Sequence, residues 1–582
     1  MVRTMTGPEG ALELAHADDA WTRADWEKAT AAVLRKSRRM SEEDADSLVW
    51  DKLTRRTLDG LDITPLGTPG SLEGLATAGR PARAGDWDVR ALVEAGPEKQ
   101  LNEAALVDLD GGVTSLWLQV DAGADLATLL EGVLLDLAPV ALDAADPLAA
   151  AQAFLAHAGD TDLATGTNLG APATADAETL AAVARLARER GLLGVVVDGT
   201  KVHDRGASDV TELGWVLAAG ARVLRVLEAA GIGAADAAGL IELRLAVTDE
   251  QFASIAKLRA VRRLWARVLE LSGVSTGSTG AVSVHAVTSR PMMSTYDPYV
   301  NMLRTTVAAF AAGVGGADSV TVLPFDAPLG RPDAFGRRIA RNTHHLLIDE
   351  SHVAHVADPA GGAYAVEELT DAMARAAWEA LGRLDGADGA DGPDAAVLEE
   401  MVAATVEQRD REVATRQRPL TGLTEFPNLG EELPAREPYA GWEGVRSYGA
   451  AFEAMRAETP AGRVFLATMG PIAQHTARAT FATNLLAAGG VGVDVAGATD
   501  GPEALVAAYG GQSVVCLAGA DPTYAEWGEA AATALREAGA SRVIIAGVST
   551  SSTSGVFDVI DDSCAMGVDA LAFLTRTREA LR

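Results

Sequence analysis

Between about Asn102 and Ala365, short apolar runs alternate with alanine-rich amphipathic stretches. The runs are Thr114–Val120, Ala138–Leu142, Leu193–Val197, Leu240–Leu245, Ala281–Ala286 and Ser319–Leu323, separated by helical patterns such as Thr179–Arg190 and Asn301–Ala312. Nearly continuous apolar runs mark strands buried on both faces, and their alternation with helices predicts a parallel (β/α)8 TIM barrel. A doubly wound sheet is the competing architecture. A second series, Arg463–Ala467, Val491–Val495, Ser513–Leu517, Val543–Ala546 and Ala570–Leu574, predicts the five strands of a flavodoxin-like doubly wound domain. Upstream, Thr22 as N-cap with Trp26, Ala29, Val33 and Leu34 predicts an amphipathic helix reaching Arg39. Such a helical arm wraps either a partner or its own barrel.

Punctuation supplies the boundaries. Residues 1–20 are small and acidic and read as a loose tail. The tract Asp385–Asp394 is turn material, a helix is expected over Ala395–Arg416, and the Pro-, Gly- and Glu-rich stretch Pro419–Trp442 reads as an interdomain belt. The expected division is an N-terminal partner-wrapping arm at 1–50, a barrel at 51–417, a linker at 418–460 and the second α/β domain at 461–582.

Composition narrows the function classes. A chain of 582 residues exceeds what one compact core organises. Lys plus Arg number 49 against 81 Asp plus Glu, a formal charge of −32, so the long-range field repels nucleic acid and anionic membranes. Two cysteines, Cys516 and Cys564, are too few for a disulfide framework or a thiolate metal site and read as buried small hydrophobes. The start Met1–Gly7 has no apolar core of a leader, and no apolar run is long enough to span a bilayer. A cytoplasmic protein is the expectation.

Four of the nine histidines, His344, His345, His352 and His355, fall within twelve residues. With Asp349 or Glu350 they could form a metal site, but adjacent histidines point apart on regular structure. The favoured reading is a polar helix face leading into a turn at Asp358-Pro-Ala-Gly-Gly362. This segment, Arg338-Ile-Ala-Arg-Asn-Thr343 through Asp358-Pro-Ala-Gly-Gly-Ala363, resembles the signature of the methylmalonyl-CoA mutase family, departing from it at Asp349, His355 and Ala363. Ile255–Trp265, Tyr296–Thr306 and Thr57–Leu66 are similar to further segments of that family. The resemblance spans roughly residues 40 to 582 and implies a barrel followed by a cobalamin-binding-type domain.

Within that resemblance the functional positions are altered. Catalytic members carry a Tyr-His pair after the fourth strand; the corresponding frame, Asp198–Ala207, has Thr200 and Lys201 there. Lys201 reads as a structural ion pair. Ser254 stands where catalytic chains carry Glu, and their Tyr- and Arg-rich approach loop is reduced to Trp87-Asp-Val-Arg90. In the second domain the motif Asp-x-His-x-x-Gly, whose His ligates cobalt, becomes Ile472, Gln474 and Ala477 in the loop Gly470–Ala477. An amide is a poor cobalt ligand, and Ile472 cannot orient a histidine as a carboxylate would. The Ser-x-Leu nucleotide-tail pocket becomes Ala518-Gly519-Ala520, and a Gly-Gly becomes Ala546-Gly547.

The resemblance therefore implies the small, non-catalytic subunit of a heterodimeric adenosylcobalamin-dependent enzyme of this family. The large catalytic subunit would bind the adenosylcobalamin and interconvert (R)-methylmalonyl-CoA and succinyl-CoA; no cofactor or metal is expected in this chain. Two rivals remain open at this level. One is a divergent self-sufficient mutase ligating cobalt through His475. The other is a regulatory module that senses CoA esters.

Overall fold

The computed structural model describes residues 21–75, 80–81, 83, 85–94, 96–121, 123–274, 282–385, 392–458, 462–549 and 553–582. The tail expected at 1–20 and the middle of the Asp385–Asp394 tract lie outside the described residues.

Eight parallel strands close on themselves: β1 (Asp88–Val93), β2 (Ser115–Val120), β3 (Val140–Ala144), β4 (Asn168–Pro172), β5 (Leu193–Asp198), β6 (Ile241–Val247), β7 (Ser283–Thr288) and β8 (Ser319–Thr321). The pairs Ser319–Asp88 and Val320–Val89 bring β8 back to β1, so the barrel holds and the doubly wound alternative falls. Asp146, Asp176 and Ser208 cap the long helices that follow β3, β4 and β5, each accepting a backbone N–H in the first turn.

Two barrel strands escape the apolar pattern. The β4 sequence, Asn-Leu-Gly-Ala-Pro, uses residues that strands disfavour. Its register shifts between Asn168 and Ala171, with Gly170 at φ +78°. A Cβ on Gly170 would lie 2.0 Å from the Leu142 carbonyl oxygen, so the bulge requires glycine. The other is β1: Trp87–Arg90, read as the remnant of an approach loop, instead leads into the first strand, so the strand series begins at Asp88 rather than near Asn102.

Five parallel strands form the second sheet: β9 (Val464–Thr468), β10 (Val493–Val495), β11 (Val514–Ala518), β12 (Arg542–Ala546) and β13 (Asp562–Cys564), in the order β10-β9-β11-β12-β13. The last expected strand is corrected. Ala570–Leu574 opens the C-terminal helix Ala570–Ala580, capped by Asp569, and the edge strand is Asp562–Cys564. A five-residue apolar run is too short to reveal its period.

The arm helix runs Arg23–Lys36 with a reciprocal capping box between Thr22 and Asp25. Its buried side is not quite the expected one: Ala31 and Leu34 are buried, whereas Ala29 and Val33 face solvent. With Met40 and Val49 they form a small core separate from that of the barrel, beside the ring pair Trp26–Trp50 at 4.8 Å.

The helix Ala395–Ala414 leads from the barrel into the linker. Val413, Leu423 and Phe452 are buried in one cluster with Val464, Leu466, Leu485 and Phe573, so linker and sheet share a core. Between them the linker crosses the C-terminal mouth of the barrel. Backbone hydrogen bonds join Arg331 N to Glu437 O at 2.9 Å, Arg446 N to Asp204 O at 2.8 Å and Tyr448 N to Pro291 O at 2.9 Å. These fix the belt to the loops after β8, β5 and β7. Among the described residues, no helix is long and apolar enough to cross a membrane.

Candidate functional site

Barrels of this kind assemble their sites at the C-terminal ends of the strands. Here that end holds a cavity of about 330 Å³ lined by Trp117, Asp143, Asp198, Lys201, Arg290 and, from the belt, Glu443 among others. The frame Asp198–Ala207 follows the fifth strand, because β1 and β4, both absent from the apolar pattern, precede it. Thr200 is buried and is spent locally: its hydroxyl donates to Asp198 Oδ1 at 2.6 Å and its backbone N–H to the same oxygen at 3.0 Å. Lys201 is exposed and, among the described residues, makes no direct ion pair, contrary to expectation. Burial alone would raise the Asp198 carboxyl; Arg244, Lys201 and Thr200 outweigh it and hold the group below the ordinary carboxylate range.

Beneath the cavity the barrel interior is crossed by charge. Arg90 of β1 donates to Glu242 of β6 at 2.8 Å and to Ser115 of β2 at 2.9 Å. Arg244 donates to Asp198 at 3.1 Å and to His285 Nδ1 at 3.0 Å, and its guanidinium lies 3.9 Å over the Trp117 ring. Burial, with Arg90 and Arg244 nearby, pushes the His285 imidazole well below its usual range, so it stays neutral. Sequence inspection passed over this network. Its signal was present as period-two charge in Ile-Glu242-Leu-Arg244-Leu, which places both charged residues on the inward face.

Ser254 stands in the first turn of the helix Gln251–Leu271. Its hydroxyl accepts from Thr248 N at 2.9 Å, tying the helix to the loop after β6. One turn on, Lys257 is fully buried and bonds Asp209 at 2.7 Å and Glu212 at 2.6 Å. Glu212 also accepts from Ala246 N at 2.8 Å. The ion cluster locks two long helices onto β6.

The histidine-rich segment is a girder. His344 is buried on the helix Ala334–His345; its Nδ1 accepts from Trp87 Nε1 at 3.0 Å, and burial lowers its pKa to about 3. His345 bonds Asp349 at 2.8 Å and the Gly111 carbonyl at 2.9 Å. His352 and His355 stack on each other at 4.5 Å. In the turn beyond, Asp358 pairs with Arg259, which also reaches Glu367 at 2.7 Å. Among the described residues no group of histidine, cysteine or carboxylate side chains is arranged to hold a metal ion.

At the sheet's C-terminal edge the expected loop is largely absent. Gly470, at φ +78°, turns the chain, and a helix begins at Ile472 and runs to Ala488. Ile472, Gln474 and Ala477 are exposed on its first turns, and Gln474 Oε1 accepts from Thr523 Oγ1 at 3.0 Å. His475 is buried, its Nδ1 donating to the Gly470 carbonyl at 3.1 Å. Ala518 and Ala546 are fully buried, in the core shared with Leu466, Cys516 and Ile544. Two further residues shape the crevice without having been signalled by any motif. Arg478 donates to the Gly519 carbonyl at 2.7 Å and to Asp521 at 2.5 Å, with its guanidinium 4.9 Å from the Tyr524 ring. The Tyr524 hydroxyl accepts from Gly519 N at 2.9 Å and donates to the Ala546 carbonyl at 2.8 Å. Arg478 and Tyr524 thus line the crevice that the fold reserves for ligands at its strand-order reversal.

Comparison with known proteins follows the same lines. A family model described as methylmalonyl-CoA mutase matches residues 186–459. The chain is 44% identical to the methylmalonyl-CoA mutase small subunit of Streptomyces virginiae, over 99% of each chain. It is 41% identical to the probable small subunit of Mycobacterium tuberculosis H37Rv, over 91% of this chain and 93% of that one. With the small subunit of Propionibacterium freudenreichii subsp. shermanii it shares 33% identity, over 96% and 95% of the two chains.

Proposed function

Since the chain belongs to the methylmalonyl-CoA mutase small-subunit family, we propose that it is the non-catalytic partner of a large catalytic subunit, itself holding no cobalamin. The large subunit carries the adenosylcobalamin and performs the radical interconversion of (R)-methylmalonyl-CoA and succinyl-CoA. The observation that carries this reading is that the altered positions are built into the fold rather than merely vacant. Thr200 is bound to Asp198, Ser254 to Thr248, and Gln474 to Thr523. The donor set at the sheet edge does not fit cobalt. It offers an amide on a helix and an imidazole turned back onto its own backbone, with no carboxylate at Ile472 to orient a ligand.

Pairing with the large subunit is supported by the N-terminal arm, whose core is its own and which exposes Trp21 and Val33. An aromatic and an aliphatic side chain in water on such an arm suit a wrapping contact. Expression of this chain alone and together with the large subunit tests the reading. One cobalamin per heterodimer, and none with this chain alone, is the expected count. Stoichiometric cobalamin and turnover from the single chain would overturn it, and His475→Ala would then identify the ligand.

A further inference from the structure

The cavity at the barrel mouth has a second chamber. About 270 Å³ opens beside the polar one, walled by Pro172, Ala173, Val196, Val202, Trp215 and Leu398. The two chambers meet at Asp198, Lys201 and Arg205, which line both. Most charges at this junction are spoken for. Asp198 is held by Arg244, Asp204 by Arg290 at 3.0 Å, and Arg205 by Glu399. Lys201 is the least committed of them: an exposed ammonium on the boundary between a polar and an apolar space, which acts on Asp198 through space but makes no direct ion pair among the described residues.

The geometry points to a binding site for a free monocarboxylate with a short hydrocarbon tail, the tail in the apolar chamber and the carboxylate on Lys201. An apolar pocket with one convergent polar group fixes the orientation of such an amphiphile. A single ammonium close to Asp143, Asp198 and Asp204 favours a monoanion over a phosphate dianion, which those carboxylates would repel. A CoA thioester is a poorer match. Its carbonyl brings no charge to Lys201, and the belt residues Gly441, Glu443 and Gly444 take up part of the polar chamber's wall. The proposal concerns this chain alone and stands apart from the assignment of its partner.

Titration calorimetry of the full-length chain with hexanoate tests it, with hexanol and acetate as probes lacking the charge and the tail. Saturable binding of hexanoate is expected, with each control weaker by roughly tenfold or more. Lys201→Met should reduce hexanoate affinity by a similar factor and leave hexanol unchanged. Ala173→Leu, which fills the apolar chamber, should weaken both while the melting temperature shows the chain folded. Absence of saturable hexanoate binding, or an affinity indifferent to Lys201→Met, would overturn the site. So would succinyl-CoA binding more tightly than hexanoate with the same dependence on Lys201. None of these outcomes alters the cobalamin count of the heterodimer, so the two readings fail separately.

Discussion

Lys257 shows how an altered active-site frame retains charge for structural ends. Its ammonium is buried against Asp209 and Glu212, and the two carboxylates raise its pKa against the opposing effect of burial. Removing the cation leaves Glu212 buried beside His203 without its main partner. Lys257→Met is therefore expected to cost about 3–5 kcal/mol in urea unfolding, as for other broken buried pairs. Asp59 presents the opposite case. Burial, with Asp209 nearby, raises its carboxyl from 3.8 to about 6 even though Ser208 and Val210 donate to it. The folded state then binds a proton more tightly than the unfolded one. Its contribution is most favourable below pH 3.8 and is lost as the pH rises towards 6. Compared with Asp59→Asn, the native chain should lose about 2–3 kcal/mol across that window. Equal pH slopes for the two proteins would refute the shift.

At the scale of elements, the first loop of the second domain has become the start of a helix. Reinstating the motif letters alone should fail: the triple variant Ile472→Asp, Gln474→His, Ala477→Gly is expected to bind no cobalamin. Arg478 and Tyr524 would still line the crevice, and the new histidine would sit on a helical turn. An optical spectrum and cobalt assay after incubation with cobalamin provide the check. The same helix marks where sequence reading stops. Six of the eight barrel strands and four of the five second-sheet strands were visible as apolar runs, because parallel strands covered on both faces need little else. β4 was invisible because Asn168, Gly170 and Pro172 serve a bulge rather than a regular ladder. β13 was misplaced because Ala570–Leu574 is equally apolar as a strand or as the buried side of a helix. The altered site positions were legible one by one, from motif letters. Their partners were not, since Asp198 to Arg244 and Arg478 to Gly519 are contacts that only the folded chain brings together.

Across the whole molecule, the shared cluster of Val413, Leu423 and Phe452 with the second sheet makes the domains interdependent. Phe452, 1% exposed, is a buried hinge-pin of that cluster. Phe452→Ala should cost about 3–5 kcal/mol and should lower the melting of the sheet and the linker together. Calorimetry resolving an unshifted second-domain transition would contradict the shared core. The belt that continues from this cluster has a consequence in time as well as space. It lies downstream of all eight barrel strands, so the ribosome releases a barrel whose mouth is still uncovered. At ordinary elongation speeds that interval lasts on the order of ten seconds. During it, the arginines and carboxylates of the interior meet water freely, until the belt is made and closes the mouth ahead of the second domain.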